Sequence, residues 1–290
     1  YRRQIVARIP GYFALRGNNR TGAPLGNPEE LEAALSLLLP DFVALLNPDT
    51  EIAPGALGSL AEIFERHPRV AAVGSQLIEP DGVAAGSAFR FPSVAREFVR
   101  GTNTSAIGRW LGISPTVVSL TEAGPVDWVT GASVMLRVEA LREVGLFDDG
   151  FFLYFEEVEL MWRLRKAGWG IWFQPESRVM HVGGAATGIL SGSQPATQPR
   201  PAYWFASRRR FFALTKGRSG ALLASLAWLA GRVIWWLRRA VGLGAPGRDV
   251  PLEVKSLIRH GLRASEGDAR AQFATCDEQP GRMPAWMREA

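Results

Sequence analysis

The stretch that most limits what this chain can fold into is Asp41-Phe-Val-Ala-Leu-Leu46, an apolar run closed abruptly by Asn47-Pro48-Asp49-Thr50. A strand with one wet face alternates apolar and polar residues. A continuous run reads as a strand buried on both faces, as in a sheet covered by helices. The flanking sequence fits. Residues 27–40 place Asn27 as a cap, Pro28 at the first helical position and glutamates in the first turn. A second helix is expected over 54–68, and strands over 10–17 and 70–75, with Glu79-Pro80-Asp81-Gly82 as a hairpin tip. Strand, helix, strand, helix, strand is the order of an open α/β sheet.

In such sheets ligands gather at the carboxyl ends of strands, where Asp49 falls. A carboxylate there can hold Mg²⁺ or Mn²⁺ against a diphosphate, because hard cations prefer oxygen and share their shell with phosphate. Asn-Pro-Asp-Thr is equally good turn chemistry without any ligand, and both readings stand. Residues 83–124 suggest a helical excursion without evident chemistry. Beyond them, Asp127-Trp128-Val129-Thr130-Gly131-Ala132 breaks one strand, residues 133–137 resume another, and a short helix stops at Gly145. Trp128 is either a platform for a sugar ring or a core tryptophan.

Residues 151–169, Phe-Phe-Leu-Tyr-Phe-Glu-Glu-Val-Glu-Leu-Met-Trp-Arg-Leu-Arg-Lys-Ala-Gly-Trp, set Glu156, Glu157 and Glu159 behind an aromatic run. Acids in a first turn and bases in a last turn complement the helix dipole, which accounts for the cluster as helix design. The aromatic approach offers a second account, a carboxylate in a partly dry cleft that serves as a general base. His181, between an apolar strand and a glycine-rich loop, is either structural or a metal ligand opposite Asp49.

Charge divides the chain. Residues 200–263 carry 13 Lys or Arg against 2 Asp or Glu, while residues 1–199 carry 17 against 21. Basic segments meet polyanions, and the apolar company of this one, with Trp235, Trp236, Arg238 and Arg239 closing residues 220–242, favours a helix lying in an anionic membrane surface. Arg232 within the segment makes a bilayer span costly, and docking on the protein body is the other alternative. Nucleic acid is disfavoured, since no binding motif accompanies the charge. The single cysteine, Cys276, excludes a disulfide framework and fits a cytoplasmic protein, and no secretory leader is visible.

Three stretches, residues 42–60, 126–169 and 177–188, together resemble glycosyltransferase family 2 in its bacterial rhamnosyltransferase-like branch. The resemblance implies a GT-A fold, a Rossmann-like and mostly parallel sheet flanked by helices. It also implies inverting transfer of a sugar, rhamnose by branch, from a nucleoside-diphosphate donor to a hydroxyl of a glycan or lipid-linked acceptor. On its terms Asn47 and Asp49 stand at the metal-binding acidic triplet with a single carboxylate left, and His181 completes the Mg²⁺ or Mn²⁺ shell. Glu156-Glu157 occupy the catalytic pair, with Glu157 as base. Trp128, Thr130 and Gly131 line the acceptor side, and Tyr203, Arg208 or Arg209 close over the diphosphate or bind lipid phosphates.

The family's nucleoside-binding opening has no counterpart, so the fold is expected to be amino-terminally incomplete. The expected organisation is a glycosyltransferase domain over 1–192, a basic linker and amphipathic membrane-associated helix over 193–242, and a partly disordered tail over 243–290. A peripheral enzyme at the inner membrane face follows. A non-catalytic remnant acting as a membrane-bound interaction module is the alternative. A two-metal phosphohydrolase is disfavoured by the shortage of ligands.

Overall fold

The computed structural model describes residues 5–9, 12–16, 41–47, 49–181, 199–243 and 250–273. The helix expected over 27–40, the glycine-rich loop after His181 and Cys276 lie outside them. The main strands are β1 (Ile5–Ile9), β2 (Tyr12–Arg16), β3 (Phe42–Leu46), β4 (Thr50–Ile52), β5 (Val70–Ile78), β8 (Gly124–Pro125), β10 (Ser133–Arg137) and β11 (Gly170–His181). A smaller sheet joins β6 (Ala88–Phe89), β7 (Val117–Val118) and β9 (Trp128–Val129). The helices are α1 (Ala56–Arg66), α2 (Val94–Thr102), α3 (Ser105–Trp110), α4 (Val138–Val144), α5 (Glu156–Lys166), α6 (Ala202–Ala240) and α7 (Glu253–Ser256).

The main sheet runs β1-β2-β3-β10-β5-β11-β4, with β8 paired to β11. β3 is buried on both faces as its sequence requires. Val43 and Leu45 enter a core with Leu136, Leu160 and Phe173, while Ala44 and Leu46 meet Leu60, Ile63 and Phe64 of α1. The sheet is mixed where a mostly parallel one was expected. β2 and β3 are parallel, as are β5 and β11, but β10 runs against both β3 and β5. The reason is local. The bend at Thr130–Ala132 sits at the carboxyl end of β3, with the Asn47 N–H donating to Ala132 O at 2.9 Å. A strand that starts there has to run back along β3.

β11 shows what one proline does to a central strand. Its register against β5 jumps between Gln174↔Ser75 and Arg178↔Gln76, across Pro175, which has no N–H to give the ladder. Beyond the bulge β11 stays paired with β5 through Met180 and takes β4 on its other edge, which pairs His181 with Thr50. The hairpin tip expected at Glu79–Gly82 is present, closed by Glu79 N–H to Val83 O at 2.8 Å.

α6 is broken at Gly217, whose φ of 74° and ψ of 171° are not helical. Arg208 and Ser225 are hydrogen-bonded at 3.0 Å, although 17 residues of straight helix would separate them by about 25 Å. The two arms, residues 202–216 and 218–240, therefore form a hairpin. The second arm lies on α2 so closely that a Cβ on Gly101 would stand 2.2 Å from Trp228 O, and one on Gly231 2.2 Å from Phe98 O. The excursion over 83–124 is thus the seat of the carboxy-terminal helices.

Buried charge, rather than hydrocarbon alone, locks that seat. Arg208 is fully buried and donates to Glu97 from Nε and Nη2 at 3.0 and 2.7 Å, and Arg100 adds a bond at 2.8 Å. Burial works to raise the Glu97 pKa, but the two guanidiniums outweigh it and hold the carboxyl at about 2. Glu253 at the start of α7 receives Arg100 at 2.8 Å and Arg232 at 3.2 Å.

Candidate active site

Two clusters face one bend. On one side, the turn between Asn47 and Thr50 and the end of β11 set His181 Nε2 3.4 Å from Asp49 Oδ1 and 3.3 Å from Asn47 Nδ2. Thr50 Oγ1 donates to Asn47 O at 2.6 Å and fixes the turn. Asp49 Oδ1 is buried and has no hydrogen-bond partner. Residues 132 positions apart meet only because β4 and β11 pair. Among the described residues no group of three or more His, Cys, Asp and Glu gathers.

On the other side stands the start of α5. Its cap, Phe155, and the preceding Tyr154 are both left-handed, at φ of 71° and 68°. Two bulky residues in that region are strained, at about 1–3 kcal/mol each. Contacts from the first arm of α6 hold them. Tyr203 stacks on Tyr154 at 6.2 Å, Trp204 and Phe211 each meet the Phe155 ring at 5.7 Å, and Ser207 Oγ donates to Leu153 O at 2.8 Å. Further back, buried Asp148 accepts from Arg210 at 2.6 Å and from the Gly150 N–H at 2.8 Å. These anchors fix the direction in which α5 begins.

The three acids of α5 then divide. Glu159 is taken by Arg163 at 2.8 Å, and Arg163 also caps the carbonyls of Val144 and Leu146, each at 2.6 Å. Its role is structural. Glu156 and Glu157 each keep a buried Oε2 without a partner. Burial, then the neighbouring Glu157, pushes the Glu156 carboxyl well above the usual carboxylate range. Burial raises Glu157 to about 7, against backbone N–H groups including that of Gly131. A carboxyl poised there is suited to take a proton at neutral pH.

The Thr130–Ala132 bend joins the two clusters, touching Asn47 through Ala132 and Glu157 through Gly131. Thr130 Oγ1 accepts from the Ala132 N–H at 3.3 Å and shapes the bend. Trp128 has one face stacked on Phe89 at 4.2 Å and its Nε1 bound to Arg90 O at 3.1 Å, which ties it to the small sheet. Of the α6 residues expected over a diphosphate, only Tyr203 stands beside the α5 approach. Arg208 is consumed by Glu97 and Arg209 by Asp268 at 3.1 Å. Those two arginines brace the helices. Sequence reasoning missed Asp148–Arg210 and the left-handed pair. The only signal for either was the aromatic run itself.

A mixed sheet flanked by helices in this order is a fold of the GT-A type. The chain belongs to the family described as glycosyltransferase like family 2, whose model matches residues 3–213. Over 216 residues it is 32% identical to the N-acetylglucosaminyl-diphospho-decaprenol L-rhamnosyltransferase of Mycobacterium tuberculosis, a match covering 72% of this chain and 66% of that protein. It is 23% identical to a low-salt glycan biosynthesis hexosyltransferase of Haloferax volcanii, over 53% of this chain and 46% of the relative. The chain thus spans about two thirds of the length of the mycobacterial relative and less than half of the archaeal one. Among solved structures, GalNAc-T7 with UDP, GalNAc and Mn²⁺ aligns at a TM-score of 0.40 and 15% identity, over 77% of this chain and 38% of that one.

Proposed function

We propose that this chain carries the catalytic residues of an inverting glycosyltransferase that moves a sugar, rhamnose by its relatives, from a nucleoside-diphosphate donor to a hydroxyl of a lipid-linked glycan. The observation that carries the reading is the Glu157 carboxyl, raised to about 7 by burial at a strained helix start and facing the bend that leads to Asp49 and His181. Glu157 takes the proton of the acceptor hydroxyl as that oxygen attacks the anomeric carbon from the face opposite the diphosphate. Burial and the neighbouring carboxyl push Glu156 well above the usual carboxylate range, which favours Glu157 as the member of the pair that gives up its proton first. Gly131 and Thr130 border the acceptor position.

The Asp49 oxygen without a hydrogen bond, facing an imidazole nitrogen, suits a divalent cation. Asp49 and His181 would hold Mg²⁺ or Mn²⁺, with Asn47 beside them. When bound, such an ion neutralises charge on the departing diphosphate.

The outer face of the second α6 arm supports a peripheral seat on an anionic membrane at the cytoplasmic side. Leu222, Leu223, Leu226, Val233, Trp236 and Leu237 are exposed along it, a spacing that makes one apolar stripe, with Arg239 alongside. By length and composition α6 passes as a membrane span, but its break at Gly217 and the burial of Arg232 on Glu253 support the interfacial seat. A second reading is a non-catalytic membrane-bound module resting on the exposed apolar stripe of α6.

The test is an assay with dTDP-rhamnose and other nucleotide sugars, Mg²⁺ or Mn²⁺ and membrane lipid extract. Transfer that collapses in Glu157→Gln supports the first reading. Undiminished transfer by that variant overturns the base, and absence of donor binding and transfer favours the second.

A further inference from the structure

At the far end of the α6 hairpin lies an open cavity of about 750 Å³, within the range of small-ligand sites. Its lining includes Trp235, Trp236, Leu252 and Ile258, together with Lys255 and Arg259. Trp236, Leu252 and Ile258 are 50%, 61% and 52% exposed, so its walls present hydrocarbon to water. Both cations are exposed as well.

The cavity is connected to the candidate active site by side chains. Glu253, in its wall, pairs with Arg200 at 3.6 Å. Arg200 lies over the Trp204 ring at 4.5 Å, and Tyr203, the residue before it, stacks on Tyr154. Tyr154 stands two residues from Glu156.

We propose that the cavity seats the hydrocarbon chain of a lipid phosphate, with Lys255 and Arg259 against the phosphate, and that this lipid is the membrane-embedded portion of the sugar acceptor. The chemistry of the walls selects this occupant. Apolar and aromatic surface rewards burial of each methylene of a chain. The two cations complement an anionic end, in a segment with 13 basic residues against 2 acidic ones. The outer stripe of α6 rests on the bilayer as a whole, whereas the cavity receives one chain from it.

The inference rests on the lipid-linked acceptor reading, and its test needs no sugar donor. The full chain is titrated with farnesyl phosphate, a single-chain lipid phosphate, in equilibrium dialysis. Saturable binding is expected, weakened about tenfold or more by Ile258→Asp and by the double variant Lys255→Glu/Arg259→Glu. Farnesol should bind more weakly than farnesyl phosphate. Excess inorganic phosphate should not displace it. Circular dichroism checks that both variants fold. Equal binding by parent and variants overturns the proposal, as does displacement by inorganic phosphate. Flotation on phosphatidylglycerol vesicles without saturable farnesyl phosphate binding overturns it too, as does self-association lost in the variants in place of lipid binding. Failure of sugar transfer with lipid binding intact counts against the transferase reading alone.

Discussion

The sheet and the carboxy-terminal helices are held together by opposite means. Around β3 and β10 the contacts are aliphatic and aromatic, with Val43, Leu45, Leu136 and Phe173 fully or almost fully buried. Between α2, α6 and α7 the buried groups include Glu97, Arg208, Arg232 and Glu253. Hydrocarbon tolerates exchange of one apolar side chain for another of similar volume. A buried ion pair does not tolerate loss of one partner, because the remaining charge stays dehydrated. The helical half is therefore the more brittle one, and it is the half that fixes the start of α5.

That contrast can be broken most severely at Glu97. Replacing it by Ala strands Arg208 and should cost about 4 kcal/mol, read as a fall in the denaturant midpoint. If α6 is released first, protease cleavage near Gly217 should precede loss of the sheet. Next in size is Glu157→Gln. The loss of a general base should lower transfer about 100-fold or more, roughly 3 kcal/mol of barrier, with the fold retained by circular dichroism. In the parent chain the rate should climb with pH through about 7 as Glu157 loses its proton, and this limb should vanish in the variant.

Gly101→Ala probes the close crossing of α2 and α6, where the new methyl meets Trp228 O. Overpacking there should cost about 2 kcal/mol, measured by urea unfolding. Glu156→Gln should act in the other direction. Its folded carboxyl is raised, so the folded state holds its proton more tightly than the unfolded chain. The stability this contributes is present below the unfolded pKa and is lost as pH rises. The variant should therefore gain about 1 kcal/mol at pH 8 and almost nothing at pH 4, by thermal melts at both. Smallest is Arg66→Ala. Its partner Glu62, at 3.1 Å, is exposed like Arg66, and the loss should stay under about 0.5 kcal/mol.

Legibility in the sequence follows the same divide. β3, β5, β10 and α1 announce themselves through hydrophobic pattern, because burial of hydrocarbon writes a period into the chain. The reversal of β10 was not written there, since it depends on where a three-residue bend sits against Asn47. Asp49 and His181 each suggest a metal ligand from a strand end, but what brings them together is the pairing of β4 with β11, which no local pattern shows. Arg208 and Arg209 looked like phosphate ligands because a sequence shows charges without their partners. Glu97 lies 111 residues from Arg208, and nothing local to either announces the other.

Tyr154 and Phe155 carry a consequence for any change in the helices above them. Helix α5 starts where it does because two residues are held against their backbone preference by rings from α6. Freed of those rings, they would relax to the right-handed region, and α5 would gain up to half a turn at its amino end. Glu157 would then no longer lie in the first turn, where the N–H groups face it. The setting of the Glu157 carboxyl thus depends on rings supplied by α6, and a change that lifts the α6 hairpin would alter it without replacing any residue of α5.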